Sequence, residues 1–197
     1  FVGDGYFGVL ARGYIKKYPS TGGDLFPYGR QLPAWLQHIE APPLLVELAR
    51  LEWACHEVYQ AADSSPLAPE QLQAMVSEDP SRVTIQFHQT ARFLSFPVPV
   101  HRVWQALQPD TSSDEGVDLP LPQEQTGVVV TRREGQVRVT PLNWLDYRLL
   151  EALSQGASVA SIERFAREAE SGFDCTRLMT TLLNLQVIAG ISVKEGV

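Results

Sequence analysis

The sequence predicts a mainly α protein in two parts. Residues 1–107 form an all-helical N-terminal domain, 108–125 an acidic proline-containing linker, and 126–197 an α+β winged-helix-like module. Three observations carry this. Apolar residues recur at steps of three and four along Pro42–Asp63, PPLLVELARLEWACHEVYQAAD, which places them on one stripe of a helix. QPDTSSDEGVDLPLPQEQ, residues 108–125, has five acidic residues, three prolines, no basic residue and no periodicity. Beyond it, GVVVTRREGQVRVTP reads as a β-hairpin followed by three short helical stretches and an apolar strand.

The bounds are those of an ordinary globular chain. With 197 residues, 44% hydrophobic and 20% charged, it can bury one large core or two small ones. Ten of its 14 prolines lie between Pro19 and Pro99, so the first half must consist of short segments. The longest apolar runs fall far short of the roughly 20 residues of a membrane span, and no secretory signal opens the chain. These features predict a cytoplasmic protein without a membrane partner. Cys55 and Cys175 could form a single disulfide, but in a cytoplasmic protein they are expected to be two lone buried thiols, and no CxxC or Cys/His spacing suggests structural zinc.

In order, Asp4 is positioned to cap a helix through Tyr18 with Phe7, Leu10, Tyr14 and Tyr18 on one face, stopped by Pro19. A shorter helix over Gly29–Ile39 buries Leu32, Leu36 and Ile39. Pro42-Pro43 open the long helix, whose stripe is Leu44, Leu48, Leu51, Cys55, Val58, Tyr59 and Ala62. After Asp63 the run SSPLAPEQ reads as loop, or as a loop leading into one helical turn over Glu70–Val76. RVTIQFH, residues 82–88, alternates as a short strand does, although a nearby helix could absorb Phe93 and Leu94. His101–Leu107 is a short helix carrying Trp104.

In the C-terminal module Glu134-Gly135 forms the hairpin turn, and Thr140-Pro141 caps and starts a helix ended by Gly156. Ser158 begins a second helix, broken at Gly172. Asp174 caps a third, and VIAGISV closes the module as a strand.

Signatures of catalysis are missing. The chain has no GxSxG elbow, no phosphate-binding glycine loop and no HExxH. Glu52 and His56 lie four apart and could supply two metal ligands, but no third can be named, so they are read as an ion pair on the helix. No metal, cofactor or catalytic residue is assigned.

The second and third helices of the C-terminal module have helix-turn-helix spacing, which raises a nucleic-acid reading with Arg132, Arg133, Arg177 and Asn184 as contacts. Charge disfavours it. From Thr126 to Val197 eight basic residues face eight acidic ones, so the whole net charge of −7 belongs to the preceding residues. A peptide added to a sheet edge needs backbone groups and an apolar surface instead, which suits the valine-rich hairpin.

ELARLEWACHEVYQAAD, HQTARFLSFPVPVHRVWQA and LLNLQVIAGISV together resemble a bacterial two-domain family named for a DNA-binding domain. Such proteins also resemble the companion subunits of TIM-barrel iron oxygenases that modify copper-binding peptides of the methanobactin and bufferin type. The resemblance covers nearly the whole chain. It marks Arg50, Glu52, Trp53, His56, Asp63, Arg92, Pro97 and Trp104 as motif positions, for docking or structure rather than catalysis. Members of that family begin some tens of residues before the segment that matches Phe1, so the resemblance implies a further first helix ahead of it. The function implied is a non-catalytic companion that binds such an oxygenase and its precursor peptide. The alternative is a DNA-binding transcriptional regulator that uses the C-terminal module.

Overall fold

A computed structural model describes residues 2–63, 67, 79–108, 121–173 and 175–193. The chain is a mixed α+β protein whose elements are α1 (Asp4–Lys17), a 3₁₀ turn (Tyr28–Gln31), α2 (Leu32–His38), α3 (Pro43–Gln60), β1 (Val83–Phe87), β2 (Ala91–Phe96), α4 (Val100–Ala106), β3 (Thr126–Arg133), β4 (Gln136–Leu142), α5 (Trp144–Ser154), α6 (Val159–Ala169), α7 (Cys175–Leu185) and β5 (Ile188–Val193). It divides into two compact units. The first comprises residues 1–53 and 99–122, the second 54–98 and 123–197. Each is therefore assembled from two stretches of chain, and the division differs from one at the 108–125 segment.

In the first unit Leu10 and Tyr14 of α1 pack with Trp35 and Leu36 of α2, Ala41 and Val46. Tyr14 is the centre of an aromatic cluster with Tyr18, Tyr28 and Trp35, and its hydroxyl donates to the Tyr28 carbonyl. Gly13 allows Trp35 this close, because a Cβ there would lie 2.9 Å from the indole ring. The residue in the capping position of α1 is Gly3, at φ 72°, with Asp4 as the first helical residue rather than the cap. The expected helix over Gly29–Ile39 is a 3₁₀ turn followed by α2. Its buried residues are Trp35 and Leu36, whereas Ile39 is exposed because the chain has already left the helix there. The α2 terminus closes with Glu40 at φ 55°, its N–H bonded to the Gln37 carbonyl and that of Ala41 to Leu36. This is a Schellman motif built without its usual glycine.

The helical stripe of α3 is real, with Leu48, Leu51 and Val58 buried together with Val46 and Ala54. Tyr59 is not part of it and is 56% exposed. Cys55 is half-buried rather than buried.

The second unit holds two sheets on one core. Residues 1–107 are not all-helical: β1 forms where RVTIQFH is expected to be a short strand, and Phe93 and Leu94 belong to β2 rather than to a helix. β2 pairs antiparallel with β3, Arg92 opposite Val130, and β3 with β4 through the hairpin. At the hairpin turn Glu134 (φ 52°) and Gly135 (φ 77°) both have positive φ, as a two-residue type I′ turn requires. The closing strand β5 forms as expected from VIAGISV. It pairs with β1, Ile85 opposite Ile191, in a separate two-stranded sheet.

Leu149, Leu150 and Leu153 of α5, Ile162 and Ala166 of α6, and Leu178 and Leu182 of α7 fill one core with Ile85, Val129 and Ile188. Asn143 caps α5 by accepting from the Asp146 N–H. Thr140 and Pro141 are still strand residues, because β4 is an edge strand and tolerates the missing N–H of proline. Gly156, at φ 88°, ends α5, and Ser158 caps α6, both as expected. The expectations for Glu70–Val76, the Asp174 cap, the Cys175 side chain and most of the 108–125 segment lie outside the described residues.

Candidate functional site

The motif residues of α3 fall into two groups, one in each unit. In the first, Arg50 pairs with Glu47 one turn away. Trp53 meets Phe26 at a ring distance of 6.4 Å and lies under Gly29, where a Cβ would be 3.2 Å from the indole. Trp53 thus fixes the 3₁₀ turn against the helix. Glu52 forms part of the wall of an apolar cavity of about 290 Å³, together with Phe7, Tyr14, Leu32, Leu45 and Leu48. These neighbours push its carboxyl above the ordinary value by desolvation, although solvent still reaches the side chain. In α4, Trp104 is half-buried, and its carbonyl accepts from the Gln108 side chain.

In the second unit the last turns of α3 are bound to the sheet by two arginines. Arg92 of β2 reaches Glu57 at 3.3 Å and also donates to the carbonyls of Gln89 and Ala91. Arg132 of β3 donates to the Tyr59 carbonyl, to the Ala61 carbonyl at 2.6 Å and to Asp63 at 2.7 Å. A guanidinium on the last carbonyls of a helix satisfies acceptors that have no helical partner and meets the negative end of the dipole. The structure therefore brings Asp63, Arg92 and Arg132 into the anchoring of one helix end. His56 lies half-buried on the same helix.

The three arginines among the candidate nucleic-acid contacts are likewise engaged within the fold, and Asn184 takes part through its backbone carbonyl. Arg133 donates to the Gln186 side-chain oxygen at 3.0 Å and to the Asn184 carbonyl at 3.1 Å. Arg177 donates to Asp146 at 3.1 Å, a residue only 7% exposed whose carboxylate also accepts from the Asn143 side-chain amide, while its own backbone N–H donates to the Asn143 side-chain oxygen. No group of three or more His, Cys, Asp or Glu side chains among the described residues is arranged to hold a metal ion. No helix among them is long and apolar enough to cross a membrane.

Two features were not visible in the sequence. One is a cavity of about 480 Å³ at the hairpin tip. Arg132, Arg133 and Glu134 meet there with His88 and Thr90 of the β1–β2 turn, the end of α7 and Ile188. These residues come from four separate stretches of sequence, so no local pattern announces the site. The other is the outer edge of β5. Among the described residues β5 pairs only with β1, and its run Ile188-Ala189-Gly190-Ile191-Ser192-Val193 carries no charge. β4, the free edge of the hairpin, carries Arg138 and Pro141, both devices that discourage strand addition.

Comparison with known proteins adds no identity: no protein-family model and no curated protein matches the chain.

Proposed function

We propose that the chain is a non-catalytic companion that binds an extended peptide by strand addition and holds it for a partner enzyme. The observation that carries this reading is the uncharged outer edge of β5, a row of backbone donors and acceptors beside partly buried apolar side chains. Such an edge gives affinity through main-chain hydrogen bonds and selectivity through alternate side chains. The resemblance in ARLEW, SFPVPV and the C-terminal segment supports a TIM-barrel iron oxygenase as the enzyme and its precursor peptide as the ligand. Resemblance of this kind is analogy, and the reading rests first on the edge.

The competing reading is a transcriptional regulator whose winged-helix-like module binds DNA. It draws less support. Arg132 and Arg177 are paired with internal carboxylates, and DNA affinity is dominated by basic side chains offered to phosphates.

The test is co-purification of the chain with the oxygenase and a labelled precursor peptide. A peptide N-methylated at alternate residues of the bound segment should lose binding, since it can no longer complete the ladder. Undiminished binding of that peptide, or a salt-sensitive mobility shift on duplex DNA that is lost on charge reversal at Arg132 and Arg133, sinks the proposal.

A further inference from the structure

We propose that the cavity at the hairpin tip is a binding site for a carboxylate carried on an apolar stem. Its apolar lining is Leu67, Leu182, Leu183 and Ile188, and Leu183 is 48% exposed, a large share for a leucine on a helix that packs into the core. Arg133 lines the cavity too. A guanidinium has five N–H groups. Arg133 uses two of them, on Gln186 and Asn184, and both acceptors are neutral. Its charge is therefore not met by a carboxylate among the described residues, whereas neighbouring Arg132 has Asp63. The two bonds hold the Arg133 plane fixed, which is the preorganisation that two-point recognition of a carboxylate needs.

His88 also lines the cavity. Glu134 (φ 52°), in the hairpin turn, and Gln186 (φ 51°), just past the end of α7, are in the same wall. Gln186 also supplies the acceptor that orients Arg133, so its backbone conformation and the aim of the guanidinium are linked.

The inference holds whether or not β5 accepts an added strand, because it concerns side chains around a cavity and not the sheet edge. The stem could be an acyl chain or the apolar last residue of a peptide, and both present the same group.

The test is titration of the full chain, followed by side-chain NMR at Arg133 and Leu183. The probes are octanoate, octylamine, and acetyl-Ala-Ala-Leu as free acid and as amide. Octanoate or the free acid should give saturable shifts at both residues, and octylamine and the amide should not. Which of the two acids binds tighter tells an acyl chain from a peptide terminus. Arg133→Gln should weaken the bound acid by roughly tenfold or more, as loss of a charged hydrogen-bond pair does. Leu183→Asp, on an exposed position, should weaken it too and serves if Arg133→Gln fails to fold. No shift from either acid at about 10 mM, equal binding of octylamine, or full affinity in the folded variants overturns the proposal.

Discussion

Gly127 shows how much one residue can decide. It opens β3 opposite Leu142, and a Cβ there would lie 2.2 Å from the Tyr147 Cβ on α5. A Cβ is fixed to its own backbone, so a rotamer change cannot relieve the clash, and the helix itself must move. Tyr147 is 2% exposed, stacks on Trp144 and donates its hydroxyl to Glu151, which leaves it little room. Gly127→Ala should therefore destabilise the second unit by about 3 kcal/mol, at the upper end for overpacking, read as a lower urea midpoint. Gly127 carried no sign of this in the sequence. A glycine before a run of valines reads as a turn residue, and its partner is 20 residues away.

Among the elements, α3 was the most legible and its anchoring the least. Period and proline placement are local, so they fix that a helix starts near Pro43 and which side is buried. The contacts of Arg132 with Tyr59, Ala61 and Asp63 join residues about seventy positions apart, and no spacing rule reaches that far. The same holds for the strands. Their existence is local, but the pairing of β1 with β5 and of β2 with β3 is decided by tertiary packing. Arg132→Ala removes several donors at once from the end of α3, whose acceptors are exposed or only partly buried. It should cost roughly 1 kcal/mol and speed amide exchange in the last turn of α3 selectively. Arg132→Lys should restore little, since an ammonium cannot span these acceptors as a planar fork does.

For the whole molecule, pH is the informative variable. Burial holds His88 and His101 below the ordinary imidazole value, with Arg102 adding to the effect at His101. His101 is 8% exposed, and its Nδ1 has no hydrogen-bond partner among the described residues. Below a pH of about 6.5 the unfolded chain takes up protons that the folded chain refuses, so stability should fall as pH drops from 7 toward 5. Glu52 works in the opposite direction, because its carboxyl is raised and folding favours its neutral form. Comparison of wild type with His101→Gln separates the two: the variant should lose part of the slope, visible in urea midpoints at pH 7 and pH 5. An equal slope in both would show that His101 does not titrate in this window.

The composition of the two units has a consequence for how the chain can be handled. Because each unit draws on two stretches of sequence, cutting at the proline-containing segment does not yield two domains. A fragment ending near residue 107 would carry β1 and β2 without β5 and β3, and the complementary fragment would expose the sides of β3 and β5 they cover. Bare strands of this kind pair with whatever is near, including one another. The polypeptide is therefore a single item of manufacture. Truncation at its most obvious seam produces two aggregating halves, and experiments on either unit need the other attached.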